Sequence, residues 1–263
     1  MRFLDIHQGQ SPVILGVPHT GTDLPSHVAD RLNPRGRAIA DTDWHIHRLY
    51  DGLLPEATTV RTRIHRYAID VNRDPSGASL YPGQNTTTLC PLTDFDGQSI
   101  YKAGTEPDAQ EIAVRREAYH APYHDALRRE IARIKDLHGF VILYDCHSIR
   151  SVIPHLFDGT LPDFNIGTNG GVTCAPDIEA AVAGICAAAE GYTSTLNGRF
   201  KGGWTTRAYG DPLGGVHAIQ MELAQSAYLN TEAPPWGYGT ANAIATRAHL
   251  KTILETLNDW RPQ

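Results

Sequence analysis

Residues 140–151 read Phe-Val-Ile-Leu-Tyr-Asp-Cys-His-Ser-Ile-Arg-Ser. Five apolar residues, rich in β-branched and aromatic side chains and preceded by the turn signal His138-Gly139, predict a strand buried on both faces, as in parallel sheets. In open α/β sheets ligands sit beyond the carboxyl ends of the strands. Here Asp145, His147, Ser148 and Arg150 follow one another at that end. The stretch therefore predicts an α/β fold with its chemistry at this strand end, His147 foremost.

Working toward the N-terminus, residues 107–137 carry Ile112, Tyr119, Tyr123, Leu127, Ile131 and Ile134 at helical spacing, with Arg115, Arg116, Arg128 and Arg129 on the solvated faces. Pro122 is expected to kink or divide that helix. Helix followed by strand is the alternation of an α/β fold. Residues 12–17 predict a second buried strand, cut off by Pro18-His19-Thr20-Gly21, so that a histidine again follows a strand. Asp41 or Thr42 is suited to cap a helix carrying Trp44, His47, Leu49 and Tyr50. Asp41, Asp43, His45 and His47 are all potential ligands, although His45 and His47 point in different directions on a helix.

Residues 58–62 predict a further strand, and residues 66–73 a second extended segment with Ala68–Val71 as its core. Arg66 and Arg73 are candidates for clamping an acidic substrate, with Asp70 nearby to hold an arginine in place. Residues 74–104, rich in Gly, Pro and Thr, form a long excursion of the kind that serves as a lid or binding loop.

Toward the C-terminus, residues 163–168 predict a short strand and turn, 177–189 a packing helix, 192–196 a strand and 241–257 a closing amphipathic helix. Between them, residues 197–210 combine four glycines with Arg199, Lys201 and Arg207, a combination suited to an anionic ligand. Residues 217–225 predict a last strand that carries Glu222 among apolar neighbours. A buried carboxylate is costly unless paired or functional, which makes Glu222 the leading general-base candidate.

The 263 residues suffice for one large domain, spanning 1–263, without covalent staples. A net charge of −6, from 23 Lys+Arg against 29 Asp+Glu without blocks of one sign, argues against nucleic acid or an anionic membrane as partner and for a small molecule. Four cysteines without a CxxC pair read as reduced thiols. No apolar run approaches the ~20 residues that span a bilayer, and the N-terminus lacks the apolar core of a signal peptide, so a cytoplasmic protein is expected.

The polar residues that follow separate strands are His19, His147, at least one of Asp41 and Asp43, and Glu222. Two histidines and a carboxylate with an open fourth position suit hydrolytic zinc. The segments 18–21, 41–45 (Asp-Thr-Asp-Trp-His), 69–73 (Ile-Asp-Val-Asn-Arg), 145–151, 197–203 and 220–225 (Gln-Met-Glu-Leu-Ala-Gln) together resemble the N-formylglutamate amidohydrolase family. The likeness runs from about residue 5 to residue 257.

The resemblance implies a single α/β domain of the zinc-carboxypeptidase and phosphorylase/hydrolase kind, a mixed, mostly parallel central sheet with helices on both faces. It implies one Zn2+ held by His19, His147 and Asp43, with Asp41 as the rival carboxylate, and Glu222 as the base that activates water. Unlike the His-x-x-Glu of zinc carboxypeptidases, His19 is followed at that spacing by Thr22, so the carboxylate comes from elsewhere. The implied reaction is hydrolysis of N-formyl-L-glutamate to L-glutamate and formate, the last step of a histidine-degradation route. Arg66 or Arg73 with Asn72 would bind one substrate carboxylate. Arg150, Arg199 or Arg207 would bind the other, with Lys201 beside them, and Arg150 is also the candidate for stabilising the oxyanion. Hydrolysis of another N-acyl acidic amino acid and metal-free binding of an acidic small molecule are the competing expectations.

Overall fold

The computed structural model describes residues 3–79, 83 and 85–262. Seven strands form one sheet: β1 (Leu4–His7), β2 (Val13–Val17), β3 (Thr58–Thr62), β4 (Val141–Ile149), β5 (Phe164–Gly167), β6 (Ser194–Leu196) and β7 (Val216–Ala224). Their spatial order is β1-β3-β2-β4-β7-β5-β6. The pairs β2/β3, β2/β4, β4/β7 and β5/β6 are parallel, whereas β1 joins β3 and β5 joins β7 antiparallel. All nine residues of β4 are buried, and the strand runs on through Asp145–Ile149, beyond the five-residue apolar run from which it is expected, because neighbours flank it on both edges and helices cover both faces.

The described residues contain eight α-helices: α1 (Ser26–Ala29), α2 (Pro34–Arg37), α3 (Ile46–Tyr50), α4 (Ala109–Arg115), α5 (Ala121–His138), α6 (Pro176–Ala187), α7 (Trp204–Tyr209) and α8 (Thr240–Asp259). Val13, Leu15, Ile142, Tyr144, Ile219 and Met221 face the layer of α3, α6 and α8. Ile14, Val141, Leu143 and Ala218 face Tyr123, Leu127, Ile131 and Ile134 of α5. Side chains alternate between the faces of a strand, so Asp145 and His147 continue the row of Val141 and Leu143, and Gln220 and Glu222 that of Ala218. The row changes from apolar to polar toward the carboxyl ends of the strands.

Three other elements differ from the sequence expectation. Residues 66–73 are turns instead of a strand: Asp70 Oδ1 accepts from the Asn72 amide at 2.9 Å and the Asp70 carbonyl from the Arg73 amide, and such local bonds compete with a sheet ladder. The helix expected from Asp41 or Thr42 begins at Ile46, after His45 in the left-handed region at φ 62°, because Asp41 and Asp43 turn inward. The helical pattern of 107–137 is interrupted by a π-turn at Arg116–His120 that runs directly into α5 just before Pro122; the widened turn accommodates a ring that cannot donate to the preceding turn, so the helix continues past it. The expected lid, 74–104, consists of turns and isolated bridges; residues 80–82 and 84 lie outside the described part.

Candidate active site

His19 follows β2, His147 lies in β4, and Asp43 arrives from the loop before α3. His19 Nδ1 and His147 Nδ1 are 3.1 Å apart, and Asp43 Oδ2 lies 3.8 Å from the first and 3.4 Å from the second. All three residues are buried. Ligand atoms ~2.0–2.1 Å from a tetrahedral ion are separated by about 3.3 Å, so this donor set matches the edges of such a site. Asp41 does not join it: Asp41 Oδ2 accepts from the Phe95 amide at 2.8 Å.

The far nitrogen of each histidine is held by a buried carboxylate. His19 Nε2 donates to Asp70 Oδ1 at 2.7 Å and His147 Nε2 to Asp145 Oδ2 at 2.9 Å. These carboxylates accept hydrogen bonds, which assigns the Nε2 protons and turns both Nδ1 atoms toward one point; such outer carboxylates are how proteins orient metal-binding imidazoles. Gly16 makes room for one of them, since a Cβ there would stand 2.8 Å from Asp145 Oδ1. Facing lone pairs repel unless a proton or a cation lies between them. Burial, reinforced by the charge of Arg66, pulls His19 below its ordinary pKa. Burial opposes the His147 cation as well, but Asp145 and Asp43 hold His147 well above its ordinary value.

Asp43 is fixed from two sides: Arg66 Nη2 donates to Oδ1, and the Ser148 amide donates to Oδ2 at 3.0 Å. Against burial, Arg66 and the histidines keep the Asp43 pKa low. Glu222 pairs in register with His147 on the neighbouring strand. Its Oε2 accepts from Gln220 Nε2 at 3.1 Å. Burial pushes its pKa up to about 8, with Asp43 and Asp145 adding to the rise in spite of His147; a dication among the three donors would draw it down again.

These groups open on a small cavity of about 70 Å³ whose lining includes His19, His147, Glu222 and four of the expected substrate residues, Arg66, Asn72, Arg73 and Arg199. Arg66 is buried against Asp43 and lies over the Phe95 ring at 5.1 Å, so its guanidinium serves that carboxylate. Asn72 Oδ1 accepts from the Thr205 amide at 2.8 Å and its Nδ2 lies 3.1 Å from His147 Nε2. Arg73 donates to Thr87 Oγ1 at 2.9 Å and Arg199 to the Leu156 carbonyl at 3.0 Å.

Arg150, Lys201 and Arg207 are not among the lining residues. Arg150 pairs with Asp96 at 2.8 Å, Lys201 is exposed, and Arg207 turns back to the Gly202 carbonyl at 3.0 Å. The glycine-rich stretch does not offer its amides as a ligand cradle throughout: the Gly203 amide donates to Gln220 Oε1 at 2.7 Å. A Cβ at Gly203 would strike Asn72 Nδ2 at 2.4 Å. Asp145 and Gln220 went unassigned in the sequence; their signal is a two-residue spacing from His147 and Glu222, which puts each pair on one strand face.

A family model for N-formylglutamate amidohydrolase matches residues 11–229. The chain is 45% identical over 260 residues to the N-formylglutamate deformylase of Pseudomonas putida, covering 98% of this chain and 97% of that protein. It is 46% identical over 259 residues to the deformylase of Pseudomonas aeruginosa, covering 98% and 96%. In fold it is similar to an N-formylglutamate amidohydrolase from Ralstonia eutropha, with a TM-score of 0.81, 21% identity and 98% of both chains covered. A protein of Agrobacterium tumefaciens gives a TM-score of 0.70 at 18% identity, with 98% of this chain and 97% of that one covered. With whole-length identity of this order and a family model that takes in β2 through β7, the chain belongs to the N-formylglutamate amidohydrolase family.

Proposed function

We propose that the chain hydrolyses N-formyl-L-glutamate to formate and L-glutamate with one Zn2+ held by His19, Asp43 and His147, closing a histidine-degradation route. The observation that carries this reading is the convergence of two imidazole nitrogens and one carboxylate oxygen beside Glu222, in a cavity edged by arginines. Two nitrogens and one oxygen, each ring backed by a carboxylate, suit zinc better than the hard, oxygen-seeking cations. When bound, the ion would polarise the formyl carbonyl and make water acidic enough to attack it near neutral pH.

Glu222 accepts a proton from the attacking water as its oxygen bonds to the formyl carbon. It then returns that proton to the amide nitrogen as the C–N bond breaks, so that formate and the free amino group leave together. Arg73 and Arg199 supply cationic partners for the substrate carboxylates, beside Asn85, Thr86 and Thr87. Arg66 holds Asp43 in place, and Asp70 and Asp145 hold the two imidazoles.

The test is formate release by the purified protein from N-formyl-L-glutamate, before and after chelation and zinc add-back, with N-acetyl-L-glutamate in parallel. Chelator-sensitive turnover of the formyl compound supports the reading. Turnover of the acetyl compound alone would replace the substrate, and turnover indifferent to thorough chelation would remove the metal.

A further inference from the structure

Asp43 sits in a segment that has no regular structure of its own, yet each neighbouring residue is gripped by the region following β7. The Thr42 carbonyl accepts from Gln225 Nε2 at 2.9 Å. The Trp44 carbonyl accepts from the Tyr228 hydroxyl at 2.6 Å. His45 Nε2 donates to the Trp236 carbonyl at 2.9 Å. The Trp44 and Trp236 rings stack with centroids 4.4 Å apart and planes inclined by 14°.

Both sides of this grip are held in unusual backbone conformations. His45 has φ 62° and Trp236 φ 49°, a left-handed region that residues with a Cβ seldom adopt, and such strain persists only where the surroundings over-determine it. Gln225 and Tyr228 are buried, and the Tyr228 hydroxyl also meets Ser148 Oγ at 2.7 Å. Ser148 is the residue whose amide donates to Asp43 Oδ2. The same tyrosine thus touches both the segment that carries Asp43 and the residue that Asp43 binds.

We propose that Gln225, Tyr228 and Trp236 are positioning residues that lock the 42–45 backbone so that Asp43 meets the metal held by His19 and His147. The inference rests on the metal reading of the site. The lock explains how a carboxylate from an irregular segment is placed as firmly as the imidazoles that strands β2 and β4 deliver. A flexible Asp43 would have to be ordered at each binding event, at the expense of affinity.

The experiment measures zinc affinity of the intact protein by competition with a chromophoric chelator, together with Tm of the metal-free form. Tyr228→Phe and Trp236→Leu are compared with Thr173→Val, which removes a buried bond of 2.8 Å to the Ala218 carbonyl, away from both residues 42–45 and the turn that carries Gln225 and Tyr228. The expected result is a ~10–100-fold loss of zinc affinity in the first two variants, the range seen when groups that orient ligands are removed, and wild-type affinity in Thr173→Val. Tyr228→Phe keeps the ring and so guards against simple unfolding. Wild-type affinity in both Tyr228→Phe and Trp236→Leu, with only Tm lowered, would overturn the proposal and leave the metal site standing. Failure of the wild-type protein to bind zinc would overturn both.

Discussion

Glu222 and His147 face one another across β4 and β7, so replacing the acid by its amide separates proton transfer from metal binding. Glu222→Gln is expected to lower kcat ~10²–10⁴-fold with zinc content unchanged by elemental analysis; loss of the ion would instead make Glu222 a ligand. A second prediction concerns His124, which is buried, donates from Nε2 to the Val71 carbonyl at 2.7 Å and faces the Tyr209 hydroxyl at 3.0 Å. Burial pushes its pKa down to about 3. An unfolded histidine takes its proton near pH ~6.5, so the stability contributed by neutral His124 is fully present above that pH and is lost as pH falls toward 3. Urea unfolding of His124→Gln should lose stability less steeply than wild type between pH 6 and 4, by up to ~1.4 kcal/mol per pH unit. Equal slopes would show that His124 takes up no differential proton. At this scale the sequence was most legible where a polar residue follows an apolar run, as at His19 and His147, or stands alone among apolar neighbours, as at Glu222. It was only half legible at Asp70: its Oδ2 lies 3.7 Å from Arg73 Nε, as expected of a group that holds an arginine, but its Oδ1 binds His19, a partner 51 residues away, and no spacing rule reaches that far.

Element boundaries followed hydrophobic periodicity where one face of an element packs on the sheet, which is why β7, α6 and α8 fall close to their expected limits, whereas β4 runs on to Ile149, past the apolar run that ends at Tyr144. Periodicity misled where side chains bond their own backbone, as at residues 66–73, and where a helix changes pitch, as at the π-turn before α5. That turn points His120 at the Arg73 carbonyl, 3.0 Å away, so the irregularity sits beside the candidate site. The other end of α5 offers a cleaner measurement. Gly139 closes the helix at φ 81°, its amide bonding the Lys135 carbonyl at 2.7 Å, and a Cβ there would meet nothing within 4 Å. Gly139→Ala should therefore cost only the backbone penalty, about 1–2 kcal/mol in denaturant unfolding. A neutral substitution would mean that the turn relaxes to negative φ.

The order of strands in the sheet, with β1 antiparallel at one edge and the parallel pair β5/β6 running against the rest at the other, was not written in any local pattern; pairing partners lie too far apart in sequence for turn chemistry to announce them. The class of fold was legible, because apolar runs alternate with helical stretches and end in polar residues. The assembled site predicts a further behaviour of the entire chain. Three buried carboxylates, Asp43, Asp70 and Asp145, surround two imidazoles and one buried arginine, a balance that a dication improves. Free metal ~1,000-fold above its Kd adds about 4 kcal/mol, or roughly 8–16 °C in Tm for a chain of this size. Chelation should lower Tm on that scale and zinc should restore it; an unchanged Tm would argue that the native state holds no ion. His19 and His147, whose facing nitrogens define the site, are separated by 128 residues, and a contact of such range exists only once the β2/β4 pairing has closed the intervening loop. Metal should therefore leave the refolding limb of a chevron plot in place and slow the unfolding limb, making zinc a kinetic lock on a fold that forms without it.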